Sequence, residues 1–474
     1  MAAGGIRYQV ALDDLHTHHY LVTLTVPDPA AVQDLSLPVW IPGSYMVREF
    51  GRNLSAVSAT QGRQAVALQQ LDKTTWRAQC TGRAALVLRY RVYAFDTSVR
   101  AAFLDSRRGF FNGTSLCLRV HGREAQPHRL ALGRLPAGWD AATALRPADD
   151  GSALDYVADT YEELVDHPVA LGRFWRGHFT AGGVPHELVV DGALPGFDGE
   201  RLLADARRIC QAQIDFWHGP AGTPVPFERY VFLLNAVEEG YGGLEHRAST
   251  ALIAARRDLP RQRPDPRGDA SLQDGYITLL GLISHEYFHT WNVKRLRPVE
   301  LVAIDPAREN YTQLLWFFEG FTSYYDELVL RRCALIDAPR YLKLLGKVLN
   351  AVAAAPGRQV QSVAQASFDA WVKYYRTDEN TPNATISYYL KGALVALACD
   401  ATLRQAGRGS LDEVMRGLWQ RCAAAPGATG ALTEADIAAE LARVAGRPLD
   451  AELQAWVHGT DELPLAEQIG RAHV

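Results

Sequence analysis

Two histidines and a glutamate in one short apolar segment are the residues of this chain best suited to chemistry. They form the pattern His-Glu-x-x-His at His285, Glu286 and His289. Residues four apart lie on one face of a helix, so both imidazoles can bind one ion. Glu286 is turned away from that ion but can act as a general base on a water molecule beside it. Two histidines and one further carboxylate leave a coordination position open, so the pattern predicts a catalytic zinc site, and the alternative is a core helix with two hydrogen-bonded histidines.

The third zinc ligand must come from elsewhere in the chain, and two glutamates are candidates. Glu309 follows His289 by twenty positions and lies in a polar, loop-like segment. Glu319 follows it by thirty positions and lies in the apolar run 314–325. A carboxylate in such a run needs a buried partner, which is either a metal ion or an arginine. We therefore favour Glu319 as the third ligand and keep Glu309 as the alternative.

Length and composition are those of a multidomain globular protein. The chain has 474 residues, of which 48% are hydrophobic and 22% charged, and its formal net charge is −4. This charge does not indicate nucleic-acid binding. The six cysteines form no C-x-x-C pair, the N-terminus lacks the apolar core of a signal peptide, and no apolar run predicts a membrane span. We therefore expect a cytoplasmic protein with reduced thiols that binds neither nucleic acid nor membrane; the oligomeric state is not indicated.

The elements that must position the site fall into three stretches. Residues 1–165 contain short alternating segments between Gly, Pro and Asn breakers, which predicts a β-sandwich-like N-terminal domain. Residues 166–405 combine a few strands with helices and include the zinc motif. Residues 406–474 form a C-terminal helical segment with two predicted capping boxes. The fold class is therefore α+β and multidomain, with an antiparallel β domain, a small sheet lobe and a helical lobe; residues 256–274, rich in Arg, Asp and Pro, are predicted to form an exposed loop.

Several further segments carry a family resemblance. They are HEYFHTWNVKRLRP (285–298), LWFFEGFTSYYDE (315–327), GGLEH (242–246), YLKGA (389–393), IPGSY (41–45) and SFDAW (367–371). In this order they resemble the glycyl aminopeptidase family of gluzincin zinc metallopeptidases, which is related to the aminopeptidase N family. The resemblance implies that residues 166–405 form a thermolysin-like catalytic domain. Members of the family usually carry a C-terminal PDZ domain, and we expect it to be missing here, because the chain ends at Val474, about where that domain would begin.

The resemblance also implies an activity and the residues that carry it. It implies an aminopeptidase with one zinc ion per chain that cleaves peptides with a free N-terminus, preferring Gly or Ala as the first residue. Glu245 would bind the substrate ammonium, and Gly242 and Gly243 would let the substrate main chain approach. Tyr389 would stabilise the oxyanion. The alternatives are that Glu245 is a solvated glutamate at a strand edge, that Gly242 and Gly243 form a tight turn, and that Tyr389 is a core residue.

Other functions of the same scaffold stay open at this stage. A related zinc hydrolase of another substrate class, either an endopeptidase or an epoxide hydrolase, would use the same ligands. A non-catalytic peptide-binding protein would not need a complete set of His285, Glu286, His289 and Glu319. Asp326, seven positions after Glu319, lies on the same helix face and is a candidate for orienting a zinc ligand.

Overall fold

The computed structural model describes residues 5–149, 151–219, 224–262, 270–425 and 428–471, and its elements follow the predicted order. Short strands fill the first third of the chain, a five-stranded sheet follows, and helices make up most of the rest. The predicted α+β class, with an N-terminal β domain before a region of sheet and helices, is confirmed.

The N-terminal region is made of short strands and two single-turn helices. Its elements are β1 (Ile6–Asp14), β2 (His19–Val26), β3 (Val32–Ser36), β4 (Leu54–Gln61), β5 (Gln64–Val66), β6 (Leu68–Gln70), β7 (Thr75–Gln79), β8 (Leu86–Tyr93), β9 (Ala102–Leu104), β10 (Arg108–Phe111), α1 (Gly113–Leu116), β11 (Arg119–Val120), β12 (His128–Leu132), β13 (Asp140–Ala142), β14 (Arg146–Pro147), β15 (Asp155–Ala158), α2 (Tyr161–Val165) and β16 (Val169–Gly172).

These strands form one large and two small sheets. The large sheet has the order β14-β15-β12-β1-β2-β8-β4-β5, and the small ones have the orders β13-β16-β10-β9 and β11-β3-β7-β6. The pairs are antiparallel except for β1 and β12, which run parallel. Strand β2 shows the alternation that the sequence predicts, since Tyr20, Val22, Leu24 and Val26 are fully buried and the residues between them are not.

A five-stranded sheet separates the N-terminal core from the helical core. Its strands are β17 (Trp175–Ala181), β18 (Val184–Asp191), β19 (Tyr230–Val237), β20 (Tyr241–Glu245) and β21 (Ser249–Ala255), in the order β17-β18-β19-β21-β20. The central strands are parallel and apolar on both faces, as expected of a sheet covered on both sides. Val189 and Val231 pack into the N-terminal core, whereas Leu188 and Phe232 pack into the helical core. Strand β20 is an edge strand, which pairs antiparallel with β21.

The remaining elements are mostly helices. They are α3 (Gly199–His218), which connects β18 to β19, and then α4 (Ala270–Phe288), β22 (Arg297–Pro298), α5 (Leu315–Phe318), α6 (Gly320–Arg332), α7 (Ala338–Ala354), α8 (Val363–Phe368), α9 (Thr381–Ala384), α10 (Tyr388–Gln405), α11 (Leu411–Cys422), β23 (Ala431–Leu432), α12 (Glu434–Ala445), α13 (Asp450–Leu453), a π-helical turn (Gln454–His458) and α14 (Leu465–Arg471). Capping boxes start α11 and α12 at Ser410 and Thr433, as predicted.

Helices α4, α6 and α10 pack together and position the zinc motif. The approach of α6 to α10 depends on two glycines, because a Cβ atom on Gly320 would lie 2.5 Å from the Cα atom of Gly392. The stretch Thr381–Gln405, which contains α10, has the length and hydropathy of a membrane span, and 67% of its most apolar part is buried inside the protein. A core helix of this kind meets the same criteria because it is apolar on all sides.

The predicted domain boundaries stay predictions. Apolar residues of the segment 406–474, including Leu411, Met415 and Leu418, share one core with the helices that precede them. The predicted loop over 256–274 is shorter than expected, since Arg256–Asp258 form a 3₁₀ turn and α4 begins at Ala270. Residues 263–269 of that loop lie outside the described part of the chain.

Candidate active site

His285 of α4, His289 directly after the end of α4, and Glu319 at the N-cap of α6 direct their side chains at one centre. The Nε2 atoms of His285 and His289 lie 3.1 Å apart. The Oε2 atom of Glu319 lies 3.5 Å from Nε2 of His285 and 3.1 Å from Nε2 of His289. Glu309, the alternative third ligand, lies in an irregular segment and does not belong to this group.

The spacing of these three atoms fits a tetrahedral zinc ion. With zinc–ligand bonds of roughly 2.0–2.2 Å, tetrahedral ligand atoms are separated by about 3.4 Å. Burial raises the pKa of Glu319, but the charge of His289 and hydrogen bonds to both histidines outweigh it and hold the pKa below its ordinary value. Burial lowers the pKa of both histidines, but the contacts of His285 with Asp326 and Glu319 and of His289 with Glu319 outweigh it and raise each pKa above its ordinary value, which favours bound protons when no metal is present. A bound dication would replace those protons, and this donor set of two imidazoles and one carboxylate is one that zinc accepts.

Each histidine is oriented by a hydrogen bond from its other ring nitrogen. Nδ1 of His289 lies 2.7 Å from the carbonyl oxygen of Asn292, which can only accept, so Nε2 is left to face the centre. Nδ1 of His285 lies 3.1 Å from Oδ2 of Asp326. Asp326 thus makes the contact that its place on the helix face predicts. Such contacts fix ring orientation and raise the basicity of a metal ligand.

Glu286 is buried beside this group without a compensating bond. It is 5% exposed, and its Oε2 atom has no hydrogen-bond partner among the described residues. Burial raises the pKa of Glu286 to about 7 when no metal is present, although the charges of His285 and His289 oppose the rise. Gly243 of β20 covers this carboxylate so closely that a Cβ atom there would lie 2.0 Å from Oε1. An unpaired carboxylate with a pKa near neutral is suited to general-base catalysis.

The predicted Gly-Gly-Leu-Glu segment is the edge strand β20 and not a tight turn. Gly243 and Glu245 are two residues apart, so both face the same side of the sheet, which is the side of Glu286. Glu245 is 4% exposed, and its carboxylate is covered by Gly43, at which a Cβ atom would lie 2.4 Å from Oε1. Gly43 has a φ of +89°, a conformation that favours glycine. The stretch 41–45 of the N-terminal region therefore forms part of the wall around Glu245.

Tyr389 lies in the first turn of α10 and faces the zinc-motif histidines. Its ring centroid is 6.2 Å from that of His285, and its hydroxyl is 3.2 Å from the hydroxyl of Tyr375. The neighbouring Tyr388 is fully buried and belongs to the core. The structure thus places Glu245, Glu286, the two histidines, Glu319 and Tyr389 around one site.

Comparison with known proteins agrees with this arrangement. Residues 7–173 match the Peptidase M61 N-terminal domain, and residues 278–395 match the M61 glycyl aminopeptidase family. An aminopeptidase N family protein from Idiomarina loihiensis, known from its crystal structure, is 37% identical to this chain. The match covers 98% of this chain and 78% of that one, with a TM-score of 0.92. This chain belongs to the M61 glycyl aminopeptidase family.

More distant structures share the fold of this M61 protein. A mutant M1 zinc metallopeptidase from Deinococcus radiodurans, bound to a Tyr-Ser-Ala substrate, is 14% identical, with a TM-score of 0.55 and coverage of 97% of this chain and 94% of that one. Aminopeptidase A from Legionella pneumophila is 12% identical, with a TM-score of 0.54 and coverage of 96% and 49%. No match was found among curated proteins. Because it belongs to the M61 family, this chain is a peptidase of the metallo-aminopeptidase type.

Three residues near the M61 site had no assigned role in the sequence analysis. Gly43 and Arg100 come from the N-terminal region, and Tyr375 comes from the irregular segment before α9. The stretch 41–45 resembles the family sequence, but nothing in the sequence places it next to Glu245. Arg100 and Tyr375 lie in segments without any motif, so only the folded chain brings them to the site.

Proposed function

We propose that this protein is a zinc-dependent aminopeptidase that removes an N-terminal Gly or Ala from peptides. The observation that carries the proposal is the buried carboxylate of Glu245, which borders a cavity beside the zinc-type group. No donor among the described residues forms a hydrogen bond with it, and it is close enough to Glu286 and His289 to influence their pKa values. A substrate ammonium would supply the missing partner through a charge-assisted hydrogen bond.

His285, His289 and Glu319 would hold the zinc ion, which when bound supplies Lewis-acid chemistry that acidifies water and polarises a carbonyl group. Glu286 takes the proton from the attacking water and later gives it to the leaving amine. The Tyr389 hydroxyl donates a hydrogen bond to the carbonyl oxygen as negative charge develops there.

The edge strand β20 sets the direction of the substrate. A peptide whose ammonium lies at Glu245 extends along β20 toward Gly243 and so runs antiparallel to this strand. Gly243 contributes no side chain, which leaves room both for the substrate and for Glu286. The scissile carbonyl then lies one residue from the ammonium, next to Glu286.

Kinetics on free and N-acetylated glycyl peptides test the exopeptidase assignment. Acetylation removes the charge that Glu245 binds, and a contact of this kind is worth roughly 1.5–3 kcal/mol, or about 10- to 150-fold in rate. We expect at least this loss, and we expect Glu245→Ala to lose activity on the free peptide while it keeps its zinc. Glu239→Ala is the matched control, because the Glu239 side chain is 79% exposed. Equal rates on blocked and free peptides would instead indicate an endopeptidase.

The preference for Gly or Ala is tested with a panel of aminoacyl amides. A cavity of about 300 Å³ borders Glu245 and is lined in part by Trp40, Tyr45 and Ile304. We expect the glycyl and alanyl amides to be cleaved faster than the leucyl and phenylalanyl amides. The opposite order would mean that this cavity accepts the first side chain of the substrate. Hydrolysis of epoxides in place of all amides would assign the site to a different reaction.

A further inference from the structure

Two arginines of the N-terminal region lie near each other without an acidic partner, and one of them, Arg100, contacts β20. The Arg100 guanidinium donates from Nη2 to the carbonyl oxygen of Gly243 at 3.0 Å. Arg48 donates to the hydroxyl of Ser44 at 2.8 and 3.1 Å. Among the described residues, no carboxylate lies within 4.0 Å of either guanidinium, and the Arg100 Nε atom is buried without a hydrogen-bond partner. Both cations are therefore only partly satisfied.

The two guanidinium groups are also close enough to repel each other. Burial lowers the pKa of Arg48, and the positive charge of Arg100 lowers it further. Asp96 acts in the opposite direction from beyond ion-pair distance. Two partly buried like charges are costly unless an anion joins them, and arginine binds carboxylates in a forked geometry.

The position of Arg100 along β20 corresponds to the length of a short peptide. Gly243, which Arg100 contacts, is two residues from Glu245, or about 7 Å along a strand. An extended dipeptide spans at most about 7 Å from its ammonium to its carboxylate. A dipeptide with its ammonium at Glu245 therefore ends beside Arg100. A Cβ atom on Gly242 would lie 3.8 Å from Nη1 of Arg100, so the guanidinium lies along both glycines of β20.

We infer that the preferred substrates of this protein are dipeptides, and that Arg100, with Arg48 beside it, binds their free C-terminal carboxylate. This inference rests on the proposed aminopeptidase function, because the length of β20 from Glu245 to Arg100 matches a dipeptide only if the substrate ammonium binds at Glu245. It assigns Arg100 a role in recognising the product side of the scissile bond, as Glu245 recognises the other side. Longer peptides place their carboxylate beyond Arg100 and lose this contact.

The test compares kcat/KM for glycyl-alanine and for glycyl-alanine amide. The amide keeps the ammonium and the scissile bond but lacks the carboxylate charge. We expect the wild-type protein to prefer the free dipeptide by about 10- to 150-fold, the range of a charge-assisted contact. We expect Arg100→Gln to bring the ratio of the two values close to one, and Arg100→Lys to keep part of the preference. Arg63→Gln removes the same charge from an exposed turn of the N-terminal region and should keep the wild-type ratio.

The outcomes separate this inference from the proposed function. If the wild-type protein cleaves both compounds equally well, the dipeptide inference is overturned and the aminopeptidase assignment stands. If it cleaves neither, the proposed function fails. A preference that persists in Arg100→Gln would assign the carboxylate to another residue. Calorimetric binding of glycyl-alanine to the Glu286→Gln background, with and without Arg100→Gln, gives a readout independent of turnover, and an unchanged Kd there also overturns the role of Arg100.

Discussion

At the scale of single residues, the site is a group of buried carboxylates and imidazoles that satisfy one another only in part. Glu286 has an oxygen atom without a partner among the described residues, and Glu319 shares its charge with two histidines. Such an arrangement costs free energy in the absence of a ligand. It is retained where chemistry needs it, so the residues that look least stable here are those on which catalysis should depend.

The first prediction concerns Glu286. Glu286→Gln keeps the shape of the side chain but removes the proton acceptor, so turnover should fall by roughly 10²–10⁴-fold. Zinc content should stay the same, because the proposed ligand atoms belong to His285, His289 and Glu319. Metal analysis and initial rates on one preparation check both points. Loss of zinc in this variant would mean that Glu286 itself is a ligand.

The second prediction separates Glu319 from Glu309. Removing a carboxylate ligand weakens zinc binding strongly, whereas removing a carboxylate outside the ligand group leaves it unchanged. We therefore expect Glu319→Ala to lose zinc during dialysis and Glu309→Ala to keep it. Metal quantification after dialysis against a weak chelator measures this. If Glu319→Ala keeps its zinc and only Glu309→Ala loses it, the ligand assignment is wrong.

At the scale of elements, the site depends on how closely β20 approaches α4. Gly243 makes the approach possible, because there is no room for a Cβ atom next to Glu286. The same helix meets β18 through His186, whose Nε2 atom lies 2.8 Å from the Tyr287 hydroxyl. Nδ1 of His186 lies 2.9 Å from the carbonyl oxygen of Val184 and must donate to it. Because burial lowers the pKa of this ring, Nε2 carries no proton at neutral pH and accepts from the tyrosine hydroxyl.

The third prediction tests the contact between β20 and α4. Gly243→Ala should displace Glu286 and lower kcat by at least about tenfold, since a small misplacement of a catalytic group is costly. Zinc content should not change. Gly281→Ala is the matched control within α4, because nothing lies within 4 Å of its added Cβ atom, and it should stabilise the helix by about 0.5–1 kcal/mol. If both variants keep full activity, the close packing at Gly243 is not required.

The fourth prediction is a pH dependence of the β18–α4 contact. Burial lowers the pKa of His186 to about 4, below the unfolded value of about 6.5. The unfolded chain therefore binds more protons between these pH values, and the stabilisation present above pH 6.5 is lost as the pH falls toward 4. The slope from this group approaches about 1.4 kcal/mol per pH unit. Urea unfolding of metal-free wild-type and His186→Gln proteins should show a shallower slope for the variant, and equal slopes would contradict the prediction.

At the scale of the whole molecule, the N-terminal region and the catalytic region build the site together. The five-stranded sheet contributes one face to each core. Asp166, near the end of the N-terminal region, accepts a hydrogen bond from Nζ of Lys294 at 2.7 Å and from the backbone of Arg247 at 2.9 Å. Burial raises the pKa of Asp166, but the charge of Lys294 and the contact with His246 outweigh it and lower the pKa well below its ordinary value.

The fifth prediction concerns this buried ion pair. Lys294→Met leaves the charge of Asp166 buried without its partner, which should cost about 3–5 kcal/mol of unfolding free energy. The control is Arg146→Met, which breaks the exposed pair of Arg146 and Asp159 and should cost at most about 1 kcal/mol. Urea unfolding above pH 6.5 measures both. Losses of the same small size would show that the Asp166–Lys294 pair does not hold the two regions together.

The sequence alone determined what depends on neighbours in the chain. The spacing of His285 and His289 follows from the helical repeat, and the alternation of β2 and the capping boxes at Ser410 and Thr433 are equally local. The apolar surroundings of Glu319 were enough to prefer it to Glu309, because a buried carboxylate needs a partner wherever the chain places it. The resemblance added the other candidate residues, and the α+β class followed from the order of the strand and helix patterns.

Only the tertiary structure decided what lies opposite these residues. Gly43 covers Glu245, Arg100 contacts Gly243, and Tyr375 contacts Tyr389. Gly43 and Arg100 come from segments more than a hundred residues away from their partners, so no local sequence pattern predicts these contacts. The same is true of β20: a tight turn was an open alternative for its glycines, and pairing with β21 makes the segment an edge strand. Side-chain packing between distant segments sets these contacts, and packing is a property of the folded chain that periodicity and spacing do not contain.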